Sequence, residues 1–165
     1  MDSSLLDDAV AQLRDAQRLL DVQVTVRTAA RRLARAEGAT FVLRDSDKCF
    51  YADEDAMSPL WKGQRFPITQ CISGWAMLND DVAIIPDITV DERVPHEAYR
   101  PTFVKSLVMV PVGSPKPLAA IGAYWARAHR PTEERIQMLC DLARETAIAI
   151  DRVGLADAPF TPTLI

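Results

Sequence analysis

Between Thr69 and Tyr99 the chain reads TQCISGWAMLNDDVAIIPDITVDERVPHEAY, which places a thiol, an indole, several carboxylates, a histidine and a phenol in one stretch. Nucleophilic or redox work at cysteine needs an accessible thiol held as thiolate. Cys71 stands just before an expected helix start, where backbone N–H groups favour the anion, so ligand attachment or redox chemistry there is weighed against a buried spectator thiol. Cys49, beside Phe50 and Tyr51, and Cys140, on an apolar helical stripe, read as packing residues. His96 precedes Tyr99 by three residues and shares a side of any helical turn with it, which sets ligand contact through either against capping and local packing. Asp87, Asp91 and Glu92 lack the alternation and glycine of a calcium loop and read as solvated carboxylates, with Asp87 kept as a candidate ligand contact. Neither His96 nor His129 stands at ligand spacing to a cysteine or to the other histidine, so no metal site is expected. Trp61, Trp75, Met109 and Tyr124 complete the candidate set. Binding pockets are apolar walls with a few polar anchors, but the same side chains also fill cores, and both readings stay open.

These residues sit in a chain of 165 residues, 48% hydrophobic and 25% charged, which suits one soluble globular domain. The net charge of -4 gives no general attraction for nucleic acid or anionic lipid. Arg27, Arg31, Arg32 and Arg35 crowd one helix end, but Asp7, Asp8, Asp15 and Asp21 dilute their field and no nucleic-acid motif follows. No run approaches the roughly 18–20 apolar residues of a membrane span, and the acidic start is unlike a secretory signal. A cytoplasmic protein with no membrane insertion is expected, either as such or as a piece of a longer chain. Three cysteines without CxxC spacing fit reduced thiols.

The periodicity predicts one long or slightly broken helix over 7–37, with Asp2, Ser3 or Ser4 as its cap and Gly38 as its stop. At about 28 residues such a helix rises about 42 Å, longer than this domain needs, so its first half is expected to project and pair with another chain. ATFVLRD and KCFYADE read as a hairpin around Ser46 and Asp47, followed by a short extended RFPI. ISGWAMLND is expected as a short helix capped by Ser73, and VAIIPDI as a strand ended by Pro86. Residues 89–106 read as a covering loop with a helical turn near His96–Arg100. KSLVMVPVG and PLAAIGAYWARA are apolar on nearly every position, which predicts antiparallel strands covered on both faces. The last helix opens at Pro131 and Thr132 and ends at Gly154, and its wide apolar stripe predicts a second partner besides the sheet.

Taken together, GATFVLRD, CISGWAMLNDDVAIIPDI, DERV, KSLVMVPVG, PLAAIGAYWA and RPTEERIQMLCDLARETAIAI resemble a GAF domain over about residues 20–153. That resemblance implies an α+β fold, GAF/PAS-like, with a central antiparallel sheet of five or six strands. It implies terminal helices on one face and ligand-side loops and short helices on the other. It also divides the chain into an N-terminal helical extension (1–19), the sensory domain (20–153) and a C-terminal tail or linker (154–165). PHEAY is similar to a phytochrome-class segment in which a histidine packs on bilin rings and a tyrosine follows; His96 and Tyr99 match, while Pro95 stands where some members carry the bilin-attaching cysteine.

The function that the resemblance implies is non-enzymatic sensing. A small molecule or chromophore would bind among Trp61, Cys71, Trp75, Asp87, His96, Tyr99, Met109 and Tyr124. A homodimer through the N- and C-terminal helices would relay the signal to a kinase or other output module, as in bacterial two-component systems. The cofactor identity is left unknown. Two alternatives are a thiol-dependent reductase of the free methionine sulfoxide type and a ligand-free structural dimerisation module.

Overall fold

The computed structural model describes residues 2–155. The tail expected over 154–165 therefore lies outside the described residues from 156 onward. At the N-terminus, α1 (Asp2–Asp15) and α2 (Leu19–Ala34) replace the single expected rod. The break has a local cause. The Asp21 carboxylate accepts the backbone N–H groups of Gln17 at 3.0 Å and Arg18 at 3.1 Å, so it satisfies donors that a new helix start would leave orphaned. The offset between the two apolar stripes was the trace of this break.

Because the chain reverses there, α1 folds back instead of projecting. Its Ala9 and Leu13 are buried in one cluster with Val22, Val26 and Leu33 of α2 and with Leu139 and Leu142 of α5 (Glu133–Val153). Arg152 of α5 donates to the carbonyls of Leu13 and Ala16, each at 2.7 Å, and thereby caps the open end of α1. At the other end, Asp2 lies between Arg35 at 3.5 Å and Arg135 at 3.1 Å. The second partner expected for α5 is thus the α1–α2 pair of the same chain. The helix stop expected at Gly38 falls earlier, at Arg35, which takes a left-handed conformation (φ 50°). The stop expected at Gly154 is where it was placed, and Thr132 caps α5 by accepting the Arg135 N–H at 3.3 Å.

Beneath these helices lies one six-stranded antiparallel sheet. Its strands are β1 (Gly38–Asp45), β2 (Lys48–Ala56), β3 (Arg65–Pro67), β4 (Ala83–Ile85), β5 (Ser106–Val112) and β6 (Ala119–Trp125), ordered β3-β2-β1-β6-β5-β4. Strand alternation divides their side chains. Phe41, Leu43, Val108, Val110, Ile121 and Trp125 join the helix-side core, while Val42, Tyr51, Leu107, Met109 and Tyr124 face the opposite layer. That opposite layer is made of α3 (Ile72–Asn79), α4 (His96–Tyr99) and the segments around them. Strands β5 and β6 are covered on both faces, as their continuous apolar character requires.

One irregularity matters for the site. The β1–β2 register shifts between Phe41, which faces Asp53, and Val42, which faces Tyr51, leaving Ala52 as an extra residue. A bulge of this kind re-aims side chains. Beyond it, Asp53 meets Arg27 of α2 at 3.0 Å and Lys62 at 3.1 Å, while Glu54 turns to the loop on the ligand side.

Candidate functional site

The ligand-side layer is organised around Trp61. Glu54 holds the preceding turn: its carboxylate accepts the backbone N–H groups of Leu60, Trp61 and Lys62, each at 2.9 Å. Three donors converging on one ionised acceptor make a strong, directional clamp. The indole is fixed again at its far side, where Nε1 donates to the Ala98 carbonyl of α4 at 3.0 Å. Its ring lies 4.6 Å from Tyr99, 5.4 Å from Tyr124 and 5.5 Å from Tyr51, measured between centroids. Edge-to-face and tilted arrangements at these distances add attraction beyond area burial.

The phenols have different partners. Tyr124 Oη and Thr40 Oγ1 form a hydrogen bond of 2.9 Å, and Gly122 leaves the space for it, since a Cβ there would collide with both oxygens. Tyr51 Oη meets Ser73 Oγ at 3.1 Å. Tyr99 is only 3% exposed, and its Oη has no hydrogen-bond partner. Burial pushes the pKa of all three phenols up, so they stay neutral hydrogen-bonding groups.

Cys71 occupies the N-cap of α3, directly after the 3₁₀ turn Ile68–Gln70. Ser73, expected as the cap, instead lies buried in the first helical turn and donates its hydroxyl to Cys71 Sγ at 3.4 Å. With that proton committed, the Tyr51 hydroxyl donates to Ser73 Oγ, so a relay of donors runs toward the sulfur. Gly74 makes the arrangement possible: a Cβ there would strike the Ile68 carbonyl. A hydrogen bond from Cys49, helped by Ser73 and the Gly74 N–H, outweighs burial and brings the Cys71 thiol down to about 7. The same contact with Cys71, together with burial, pushes Cys49 up. Of the pair, Cys71 is therefore the sulfur that ionises. Titration by thiolate ultraviolet absorbance, with the Cys71→Ser spectrum subtracted, is expected to show a midpoint near 7; a midpoint at the ordinary thiol value of about 8.5 would contradict this geometry.

Of the sequence-derived candidates, Trp61, Cys71, Tyr99, Met109 and Tyr124 share this one buried cluster, with Trp75 packed at its margin. Asp87 and His96 are not brought into it. The Asp87 carboxylate accepts both the backbone N–H and the hydroxyl of Thr89, at 2.9 and 2.7 Å, which holds it in a local cap. His96 is exposed at the start of α4. Trp75 presents its ring to Arg93, whose guanidinium lies 4.5 Å from the ring centroid and is paired with Asp91 at 2.7 Å. Sequence reasoning did not single out Glu54, Thr40 or Tyr51, because their roles depend on partners from distant segments, and it read Ser73 only as a helix cap. Cys49 it read as packing alone. Among the described residues, no group of three or more His, Cys, Asp or Glu side chains gathers to hold a metal. None of the described helices is long and apolar enough to cross a membrane.

Outside the aromatic cluster, a groove of about 530 Å³ runs between the 59–70 segment and the 95–102 segment, lined by Leu60, Trp61, Phe66, Gln70, Glu97 and Ala98 among others. Trp61 belongs to both groove and cluster. Its ring lies 4.6 Å from that of Tyr99, whose hydroxyl is unpartnered.

The fold recurs in known structures. The chain is similar to the GAF domain of an Acinetobacter phosphoenolpyruvate-protein phosphotransferase, at 13% identity over 92% of this chain and 94% of that one, with a TM-score of 0.79. It is also similar to the free methionine-R-sulfoxide reductase of Neisseria meningitidis, solved with its substrate, at 16% identity over 92% and 89% of the two chains and a TM-score of 0.79. The phycocyanobilin-bound GAF domain of a cyanobacterial phytochrome superposes with a TM-score of 0.76, at 17% identity over 96% of this chain and 98% of that one. At such identities the likeness concerns the fold. No curated protein matches the chain. The GAF domain family model matches residues 17–151, from the turn before α2 to nearly the end of α5, and the chain therefore belongs to the GAF domain family.

Proposed function

We propose that this GAF domain is a sensory domain without catalysis of its own, and that it takes a small, neutral, flat ligand on the Trp61–Tyr99 side of the sheet. The carrying observation is the Tyr99 hydroxyl, buried and unpartnered behind the Trp61 ring. An orphaned buried hydroxyl costs about 1–3 kcal/mol, and a ligand carbonyl or ring nitrogen would remove that cost. The lining chemistry supports a neutral ligand: the cluster offers tyrosine, serine, threonine and cysteine, and the groove carries the Glu97 carboxylate but no arginine or lysine. A tetrapyrrole with two propionates would meet no cation there, and exposed His96 lies outside the cluster. A compact aromatic or heteroaromatic molecule fits better.

Relay would run through the sheet. Met109 and Tyr124 on the ligand side alternate along β5 and β6 with Val108, Val110 and Trp125 against the helices. Leu20, Val24 and Ile148 remain exposed on the outer helical layer, and a homodimer through these helices, coupled to a kinase or another output module, would use them. A ligand shifts such a relay only by its differential affinity for two helix arrangements.

Native mass spectrometry with an absorption spectrum of the purified chain tests this reading together with Tyr99→Phe. A bound small molecule is expected in the wild type, with Tyr99→Phe weakening it about tenfold, the effect of one lost hydrogen bond. If the cluster is instead a self-filled core, no extra mass appears and Tyr99→Phe raises the melting temperature by removing the orphaned hydroxyl; that pair of results would overturn the proposal.

A further inference from the structure

The break between α1 and α2 contains no residue that forbids a helix. Asp15, Ala16, Gln17 and Arg18 include neither proline nor glycine, and two side chains from outside the turn hold it. Asp21 accepts the Gln17 and Arg18 N–H groups, and Arg152 donates to the Leu13 and Ala16 carbonyls. A continuous helix would satisfy the same groups internally: the Gln17 N–H would donate to the Leu13 carbonyl, the Arg18 N–H to that of Arg14 and the Leu20 N–H to that of Ala16. Asp21 and Arg152 thus stand in for helical hydrogen bonds, and the folded-back and straight forms differ little in backbone pairing. α1 is also held along a narrow strip. Grooves of about 210 and 200 Å³ flank it, one shared with Val24 of α2 and the other with Ile148 of α5.

Apolar spacing runs through the break without losing step. Leu6, Val10, Leu13, Gln17, Leu20 and Val24 follow one another at alternating intervals of four and three, the a and d positions of a heptad repeat, with Gln17 as the single polar member. In the folded-back form this seam is divided: Leu13 is buried, whereas Leu20 and Val24 are 49% and 41% exposed. On α2 the seam lies apart from the stripe that meets the core, Leu19, Val22, Val26, Ala30 and Leu33. We propose that α1 swings out into line with α2, and that the seam from Leu6 to Val24 is then a parallel, in-register interface with a second copy of this chain. An identical helix in that register sets Gln17 opposite Gln17, where each amide offers the donor and the acceptor that the other needs.

The swing rests on the homodimer reading above and gives it a mechanism. Straightened, residues 2–34 form a rod of about 50 Å. Dimerisation then competes with the contacts that hold α1 down: the buried Ala9 and Leu13, the ion pair of Arg14 with Glu145 at 3.2 Å, and the bridge from Asp2 to Arg35 and Arg135. The new seam must offset the α5 surface that α1 uncovers, so the straight form belongs to the dimer and the folded-back form to the monomer. These are two helix arrangements of the kind that a ligand-driven relay requires. The family match begins at residue 17, so the swinging segment lies outside the matched domain, whose sheet and α5 stay in place.

Variants of the full chain test this by native mass spectrometry and small-angle scattering over rising concentration. Asp21→Ala with Arg152→Met removes both side chains that hold the break. Dimerisation is expected to tighten at least about tenfold, the factor for one charged hydrogen bond, and the dimer should be longer than two folded-back copies side by side. Gln17→Pro separates the two forms: position 17 precedes the N-cap of α2, where proline is tolerated, but proline inside a continuous helix breaks it. It is expected to abolish dimerisation both in the latch variant and in wild type at millimolar concentration. If the latch variant loses its cooperative unfolding, wild type against Gln17→Pro decides alone. A folded latch variant that associates no more tightly than wild type, no dimer in either protein, or a dimer that survives Gln17→Pro would overturn the proposal. The last result leaves a homodimer through Leu20, Val24 and Ile148 standing, so failure of the hinge and failure of the dimer are told apart.

Discussion

Trp61→Ala is expected to lower the unfolding free energy by about 3–5 kcal/mol, the range for removing a large aromatic side chain from a packed interior. The residue is 4% exposed and touches three tyrosine rings, so no single neighbour can collapse into the space. The loss also orphans the Ala98 carbonyl, which accepts the indole N–H, and so loosens α4. At about 2–4 °C per kcal/mol for a domain of this size, the melting temperature should fall by roughly 10 °C. The variant separates wall from scaffold. If Trp61 divides the groove from Tyr99, the alanine protein opens a continuous cavity and an added apolar probe such as indole restores part of the lost stability. A melting temperature within a degree or so of wild type would show that the ring is dispensable, contrary to its place at the centre of the cluster.

Gly74→Ala is expected to be nearly as damaging, although it adds one methyl group. The Cβ would occupy the position of the Ile68 carbonyl, and a backbone group cannot rotate aside as a flexible side-chain end can. Over-packing ordinarily costs about 1–3 kcal/mol, and here the 3₁₀ turn and α3 must separate, so a cost of about 3 kcal/mol is expected. The change should also move Cys71, because that residue joins the two elements. Its thiolate midpoint should therefore rise from near 7 toward the ordinary thiol value. Leu78→Ala on the same helix is the control: Leu78 is half exposed, and its replacement should stay within about 0.5 kcal/mol of wild type. Equal melting temperatures for Gly74→Ala and Leu78→Ala would refute the close approach of turn and helix.

The two variants bear on different parts of what was legible. Periodicity was sufficient wherever a segment buries one face. The alternation and density of apolar residues in β5 and β6, and the stripe of α5, define where those elements lie and that both sheet faces are covered. The reading failed where a local polar contact competes with periodicity. Asp21 opens a new helix within a continuous apolar pattern, and Cys71 rather than Ser73 occupies the cap of α3. That second error had a functional consequence, since the residue displaced from the cap became the donor to the thiol.

Folding-back of α1 changes the inference about assembly. Helix length and a wide apolar stripe were read as surplus surface for a second copy, yet Arg152, Asp2 and Leu13 show that the same chain uses most of it. The large apolar side chains that these described helices leave exposed are Leu20, Val24 and Ile148. Spacing alone records how much apolar surface a helix carries, and it does not record which chain covers it.

By itself the amino-acid order determined the α+β class, the strands and the last helix, because those depend on side chains within one segment partitioning between water and a packed interior. It also marked Trp61, Tyr99 and Tyr124 as candidates. Only the tertiary structure decided that these rings meet, that Glu54 clamps the turn beneath them, that Asp87 and His96 stand apart, and that Tyr51 reaches Ser73. Each of those facts is a contact between residues from different segments, fixed by strand register, a one-residue bulge and a tight glycine approach. Such contacts leave no periodic signature in the chain, since the geometry that creates them exists only after the sheet has closed its pairings.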